Sequence, residues 1–303
     1  MSHRSRRSAM ATPPSHPELT VILTAHNRAD LVEETLSSLA DQAWDGEWDI
    51  VLVDNDSTDE TPAILERWAD KMTVPTTVVS ATELHNLSYA RHAGVAASNA
   101  TSIAFLDDDD VIAAGYVAAI GEALRHHELV GPRHEHGLLN DAEVAAYRGS
   151  FQTRGLGEIF GIPMVSGGGF ACRRDLWDRL GGHSVETGYG AEDAEFAVKA
   201  SLEAVTPAFV PDAVYHVRLR GDVRSNYRQG RAFAISRVRL YARFRDVVDQ
   251  PIDSPARVLR NWGGMVLRLR NLGREGPRLV WVWQLGRRVG HLEGSLRHRV
   301  WYP

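Results

Sequence analysis

The chain has 303 residues, 44% hydrophobic and 24% charged, an ordinary balance for a globular protein with a sizeable core and enough length for one large domain or two small ones. Its formal charge of −5 lacks the basic excess of a dedicated nucleic-acid binder, so no nucleic acid is expected as a partner. Cys172 is the single cysteine, which excludes an intramolecular disulfide and suits a reducing, cytoplasmic setting.

Residues 1–17 are basic and polar with no apolar stretch behind them; they read as a disordered leader, not a secretory signal. LTVILTAH (19–26) is a continuous apolar run rich in β-branched residues, as expected of a strand buried on both faces. A turn at Asn27–Asp30 leads to a helix over 31–42, with Leu31, Leu36 and Leu39 near helical spacing. WDIVLVDN (48–55) is a second buried strand, ended by the polar turn 54–59. Thr61-Pro62 opens the next helix, with proline in the first turn. VPTTVVSA (74–81) is a third strand, Ser88–Asn99 an alanine-rich helix, and TSIAFLD (101–107) a fourth strand. No apolar run approaches membrane-spanning length.

Regular strand–helix alternation implies an α/β fold with a mostly parallel sheet and right-handed crossovers. Ligands of such sheets bind outside the carboxyl ends of the strands. The loops Ala25–Arg28, Asp54–Asp59 and Asp107–Asp110 are therefore expected at one edge.

After about residue 150 the pattern changes. Residues 160–177 are glycine-rich and then helical, 191–204 form a strong helix candidate, and 208–217 read as a short edge strand pair broken by Pro211. Residues 224–244 have helical spacing with many arginines. Residues 255–303 carry ten arginines against two glutamates, with Trp262, Trp281, Trp283 and Trp301 among them.

Four consecutive aspartates, Asp107 to Asp110, repel one another unless positive charge sits on them. Such a run could be a solvated turn or helix start. It could equally hold a divalent cation, since magnesium and manganese take one or two carboxylates together with phosphate oxygens and water. Glu192 and Asp193 carry the same ambiguity: they suit a helix N-terminus, and Asp193, following Gly188-Tyr189-Gly190, also suits a general base. Gly167-Gly168-Gly169 lacks the flanking pattern of a dinucleotide or Walker loop. It is either a plain turn or a place where a ligand nears the backbone. Cys172 reads as a buried small apolar residue, and His126, His127 and His183 as surface or loop residues.

TVILTAHNR, VLVDNDSTDET, LSYARHAGVAASNATSIAFLDDDD and GGHSVETGYGAEDAEFAVKA, in that order over about residues 19–216, resemble the motifs of glycosyltransferase family 2. The resemblance implies a GT-A fold, Rossmann-like with helices flanking the central sheet. It divides the chain into a catalytic domain over 18–222 (donor half 18–110, acceptor half 111–222) and a basic helical extension over 223–303. The implied activity is transfer of a sugar from a nucleotide-diphosphosugar, a UDP-sugar by default, to an acceptor hydroxyl with inversion. Thr24, Ala25, Asn27 and Arg28 would line the nucleoside pocket and Asp54 would contact the base. Arg91 would reach the diphosphate. Asp107 would touch the ribose or a metal-bound water, and Asp108, Gly168 and Glu192 would complete the donor-binding set. Asp109 would ligate Mn2+ or Mg2+, with His216 as a further metal or phosphate contact, and Asp193 would be the base. Asp108 and Asp110 would otherwise cap the following helix or tune the field, and Glu195 would be accessory or solvated.

This chain departs from the family pattern at His26, where tyrosine is frequent, at His92, where asparagine is usual, and at Asp56 and Asn86, where glycine is frequent. Asn and Asp are the residues best able to replace glycine at positive φ. The acceptor is open among polysaccharide, lipid, natural product and peptide. Three placements are open for the basic tail: on the catalytic domain or a second subunit, over the active site, or on an anionic membrane at the inner face. A nucleotidyltransferase would carry a glycine-rich loop where Ala25-His26-Asn27-Arg28 stands. A nicotinamide dehydrogenase would carry G-x-G-x-x-G there. A non-catalytic sugar-nucleotide-binding module would not need Asp193.

Overall fold

The structure is a computed structural model that describes residues 16–148, 151–186, 190–248 and 253–303. Most of the leader and Gly188-Tyr189 lie outside the described residues.

The first half follows the expected order: β1 (Leu19–Ala25), α1 (Val32–Ala40), β2 (Trp48–Asp54), α2 (Thr61–Ala69), β3 (Thr76–Ser80), α3 (Leu87–Ala97) and β4 (Ser102–Asp107). Then come β5 (Val111–Ile112), α4 (Tyr116–Leu124), β6 (Leu129–Glu135), α5 (Ala142–Arg148), the hairpin β7 (Gly157–Ile159) and β8 (Ile162–Met164), and β9 (Ala171–Arg173). The chain continues through α6 (Arg174–Leu180), α7 (Glu192–Leu202), β10 (Ala208–His216), α8 (Val223–Phe244), α9 (Pro255–Leu267), a 3-10 turn (Arg268–Asn271) and α10 (Glu275–His298).

The main sheet runs β3-β2-β1-β4-β9-β6-β10-β5. Strands β3, β2, β1 and β4 are mutually parallel, and β10 is parallel to β6. The short β9 lies antiparallel between β4 and β6. Every residue of β1 is buried, because apolar helices cover both faces. Val21 and Leu23 pack with Leu36 and Leu39 of α1 and Ile120 of α4. Ile22 packs on the opposite face with Val95 of α3, Trp177 of α6 and Phe196 of α7. The α/β architecture, mostly parallel and helix-flanked, is the one expected.

The segment 208–217 is not an edge pair. It forms one strand, β10, between β6 and the two-residue β5. Pro211 has no N–H to give a ladder, and the register shifts between Val210 and Val214 so that it falls in a bulge.

Much of the basic tail packs on the chain itself. Gly230 of α8 and Gly286, Gly290 and Gly294 of α10 let these two helices approach backbone to backbone. Arg231 forks onto Glu293 at 2.7 and 2.6 Å. Arg274 reaches Glu143 of α5 at 2.8 Å, and Arg243 reaches Glu195 of α7 at 2.8 Å. Glu195 is thus neither solvated nor accessory: it is 1% exposed and clamps α7 to α8. No helix among the described residues is long and apolar enough to cross a membrane.

Candidate active site

A cleft of about 420 Å³ opens at the carboxyl ends of β1 and β4. Thr24 and Ala25 line it from β1, His26 and Arg28 from the loop after it, Asp107, Asp108 and Asp109 from the end of β4, and Glu192 from α7. The parallel register explains the convergence: Ala25 lies beside Asp54, and Thr24 beside Asp107.

Within the acidic run the four carboxylates have different partners. Asp108 accepts from His26 N at 3.0 Å and from Arg28 Nε at 3.2 Å, bracing the first loop against the fourth strand. Asp109 accepts from Arg28 Nη2 at 3.4 Å. Asp110 is buried and accepts from Arg218 N at 2.6 Å. Burial, then the charge of Asp109, pushes Asp108 up to about 7; burial, then the charge of Asp107, raises Asp109. Neither Asp108 nor Asp110 caps a helix, since α4 begins at Tyr116 behind a left-handed Gly115.

Asp107 is held from below. Arg91, 1% exposed on the inner face of α3, donates through Nη2 to Asp107 Oδ1 at 2.9 Å and to Gly167 O at 3.2 Å. Its Nη1 lies 3.6 Å from Glu192. Gly167 N donates in turn to Asp193 Oδ2 at 2.9 Å. Glu192 accepts from Gly190 N and Ala191 N, both at 3.0 Å, so it secures the turn into α7. Asp193 follows, half-buried; burial and then the Glu192 charge push it up to about 7. The glycine segment is therefore neither a plain turn nor a proven ligand cradle. A Cβ on Gly168 would stand 3.1 Å from the Tyr215 ring and 3.4 Å from Asp107 Oδ2, so a side chain there would press on the ring beneath Asp107.

Other expected residues stand beside the cleft. Asp54 is buried at the end of β2 and accepts from Ser57 N at 3.3 Å; the adjoining cleft wall is Asn55. Asn27, exposed and left-handed at φ 49, accepts from Thr58 N at 2.8 Å and ties the first two loops together. His216 does not line the cleft; its Nδ1 lies 3.8 Å from Glu135. Among the described residues no group of three or more His, Cys, Asp or Glu could by itself hold a metal.

Two positions differ from expectation. His183 lies in a connection, as one of its two expected placements had it, but not at the surface: it is fully buried, its ring 4.9 Å from Phe170 and 5.0 Å from Trp177. Burial pulls its pKa well down, and the neutral ring places Nδ1 3.3 Å from Arg91 Nη1. The strand–helix pattern carries no sign of this, because His183 lies in the α6–α7 connection. Asp56 has the expected left-handed φ of 60, but Asn86 is extended at φ −156 and caps α3 by accepting from Tyr89 N.

The loop after β3 is a fourth cleft wall. His85, Asn86 and Ser88 line it, and the His85 ring meets His26 edge-on at 3.9 Å. Asn55 fixes this loop by donating to Ala81 O and Leu84 O at 2.8 and 2.9 Å. A strand parallel to its neighbours must end at the same edge, so the signal was present in VPTTVVSA.

The sequence profile described as "Glycosyl transferase family 2" matches residues 20–181. The chain is 33% identical over 94 residues to "Putative teichuronic acid biosynthesis glycosyltransferase TuaG" of Bacillus subtilis (strain 168), a stretch covering 31% of this chain and 36% of that protein. The fold resembles that of the mannosyltransferase PcManGT from Pyrobaculum calidifontis in complex with GDP-Man and Mn2+. Its TM-score is 0.62 at 20% identity, over 94% of this chain and 89% of that one. It also resembles S. aureus TarS 1-349 in complex with UDP, with a TM-score of 0.51 at 18% identity, over 94% and 93% of the two chains. Since the profile spans more than half of the sequence and the cleft stands where its motifs end, the chain belongs to glycosyl transferase family 2.

Proposed function

We propose that the chain transfers a glycosyl group from a nucleotide-diphosphosugar to an acceptor hydroxyl by single displacement with inversion. The observation that carries this is the position of Asp193. Its carboxylate is tied through Gly167 to Arg91, and through Arg91 to Asp107 in the cleft. With its pKa pushed up to about 7, it can take a proton near neutrality. The acceptor O–H gives its proton to Asp193, the oxygen bonds to the anomeric carbon, and the bond from that carbon to the diphosphate breaks on the opposite face.

The donor's nucleoside would lie along Thr24, Ala25 and Arg28, with Asn27 and Asp54 shaping the loops and the His26 and His85 rings at the wall. Asp108 and Glu192 would hold the cleft's two sides, with Gly168 beneath. Arg91, buried and paired with Asp107, would hold that carboxylate in place instead of reaching the diphosphate itself. Binding of GDP-Man by one structural neighbour and of UDP by another supports a sugar nucleotide, and a UDP-sugar is the first donor to test. On this reading donor half 18–110 and acceptor half 111–222 form the catalytic domain, with 223–303 as its extension.

The residues present fit a divalent cation. Asp107 and Asp109 offer hard, partly exposed oxygens, and burial, then the Asp107 charge, raises Asp109, a repulsion that a cation between them would offset. Two carboxylates need phosphate and water oxygens to complete a shell, as Mn2+ or Mg2+ accept. A bound cation would supply charge to offset the leaving diphosphate. His216 would bear on the phosphates or cation only after a shift toward the cleft.

The test is a thermal-shift panel of UDP-, GDP- and dTDP-sugars with and without Mn2+, followed by turnover of the best donor. A metal-dependent rise for one nucleotide class, growing with concentration, and loss of turnover in Asp193→Asn are expected. No shift for any nucleotide, or normal turnover by the variant, would overturn the proposal.

A further inference from the structure

Helix α9 and the 3-10 turn after it stand out as basic, apolar and uncovered at once. Residues 254–274 contain five arginines and no acidic residue. Of α9 itself Met265 alone is buried. Leu259 is 75% exposed, Val266 63% and Leu267 74%. At about 100° per residue these three positions, spaced i, i+7 and i+8, fall within one arc of the helix. Met265 lies on the other side, toward the body, and Arg260 borders the exposed arc. A contiguous exposed apolar stripe of this kind marks an interaction surface.

Behind α9 lies a cavity of about 300 Å³, lined by Trp262 and Arg268 on one side and by Trp283, Arg287, Arg288 and His291 of α10 on the other. Arg287 stands over the Trp283 ring at 4.9 Å and Arg288 over Trp262 at 5.9 Å. Among the described residues Arg260, Arg268, Arg270, Arg287 and Arg288 make no salt bridge, and the one acidic residue lining the cavity, Asp253, is taken by Arg257 at 3.0 Å. Burial, together with the Arg237 guanidinium, pulls Arg287 below its ordinary value, as expected of a half-buried cation beside another cation. The cavity fits an anion; the helix beside it fits hydrocarbon.

We propose that this face docks on an anionic membrane surface, with Leu259, Val266 and Leu267 of α9 entering the interface and a lipid phosphate held by Arg287 and Arg288. Charge complementarity selects this occupant. In a two-fold contact with a second copy, the patch would meet itself, setting arginine against arginine with no acid in residues 254–274 to pair them. A nucleic-acid backbone would match the charge but leave the leucine and valine stripe uncovered. An anionic bilayer matches both, by apolar burial plus attraction to its headgroups.

The test is co-sedimentation of the full chain with vesicles of phosphatidylcholine alone and of phosphatidylcholine mixed with phosphatidylglycerol. Binding to the anionic vesicles should exceed that to neutral ones at least tenfold and weaken with salt. Leu259→Glu/Val266→Glu, at exposed positions, should leave the melting temperature unchanged and lower partitioning at least tenfold. Arg287→Gln/Arg288→Gln should lower it about 25-fold, about fivefold for each arginine. Equal partitioning on both vesicle types, or no effect of either double variant, would overturn the proposal. So would a dimer in sedimentation velocity that Leu259→Glu/Val266→Glu dissolves. Competition by inorganic phosphate with no loss in the Leu259→Glu/Val266→Glu variant would assign the cavity to a soluble phosphate and overturn the membrane site. None of these measurements uses a sugar donor, so their outcome is independent of the glycosyl-transfer proposal.

Discussion

Arg91 and Asp107 form the buried joint of the cleft: the guanidinium of α3 meets the last carboxylate of β4 at 2.9 Å. The same guanidinium stands 3.6 Å from Glu192, so one cation separates two acids from distant segments. In Arg91→Met those acids would face each other and Gly167 O would lose its donor. Leaving a buried charge unpaired costs about 3 kcal/mol, so the urea midpoint should fall markedly. Arg91→Lys restores charge without the planar fork and should fall in between. An unchanged midpoint in Arg91→Met would contradict this role.

Asp193 sets a pH dependence. Its carboxylate is pushed up to about 7 by burial and the Glu192 charge, and a general base must be ionised to act. The logarithm of kcat/KM should therefore rise with unit slope below about pH 7 and level off above it. Asp193→Asn, whose amide oxygen can accept from Gly167 N or Ala194 N but not both, should stay folded with a modest loss of melting temperature and lose activity by about 10³-fold. A profile flat from pH 5.5 to 8 would remove Asp193 from the proton transfer.

The strand–helix order and the edge where the loops meet were legible because β1, β2 and β4 are buried on both faces and read as unbroken apolar runs. Ala25, Arg28 and Asp107–Asp109 followed from that order, and Thr24 from the family resemblance. Three other features were not legible. Glu195 looks like a solvated helix residue until α8, more than forty residues on, brings Arg243 against it. His183 sits in a connection with no periodicity, and only the fold puts four aromatic rings around it. Pro211 argued for a break, yet a bulge absorbs it. Each depends on a long-range contact, which local pattern does not encode.

The raised aspartates also predict how stability varies with pH. In the unfolded chain aspartate titrates near 3.8, whereas Asp108 and Asp193 titrate at about 7 in the fold. Between those values the folded form holds more protons, so this contribution to stability falls as pH rises toward and through about 7. Below about 7.5 an opposite contribution enters, because burial lowers His134 and His291 to about 4 and pulls His183 well down, so the unfolded histidines take protons first. The carboxylate contribution is therefore read as the difference between the parent chain and Asp108→Asn, which share the histidines. In chelator the variant should gain melting temperature relative to the parent as pH rises through about 7, and Mn2+ with a nucleoside diphosphate should shrink that gain. A difference that does not change with pH in chelator would show that these carboxylates do not carry the strain assigned to them.

The contact of α8 with α10 rests on glycines, and it separates two effects of opposite sign. A Cβ on Gly290 would collide with Arg231 O and stand 2.8 Å from Ala234 Cβ, while one on Gly263 of α9 meets nothing within 4 Å. Replacing a helical glycine by alanine gains up to about 1 kcal/mol in helix propensity. Gly263→Ala should therefore be neutral or stabilising. At Gly290 the obstacle is backbone, which cannot rotate away, so the helices must separate and expose the Val238 and Ala234 contacts. Overpacking of this kind costs about 1–3 kcal/mol and should outweigh the propensity gain. Gly290→Ala should lower the melting temperature and Gly290→Val should lower it further. If Gly290→Ala and Gly263→Ala stabilise equally, the two helices do not pack at the distance that the bare glycine backbones permit.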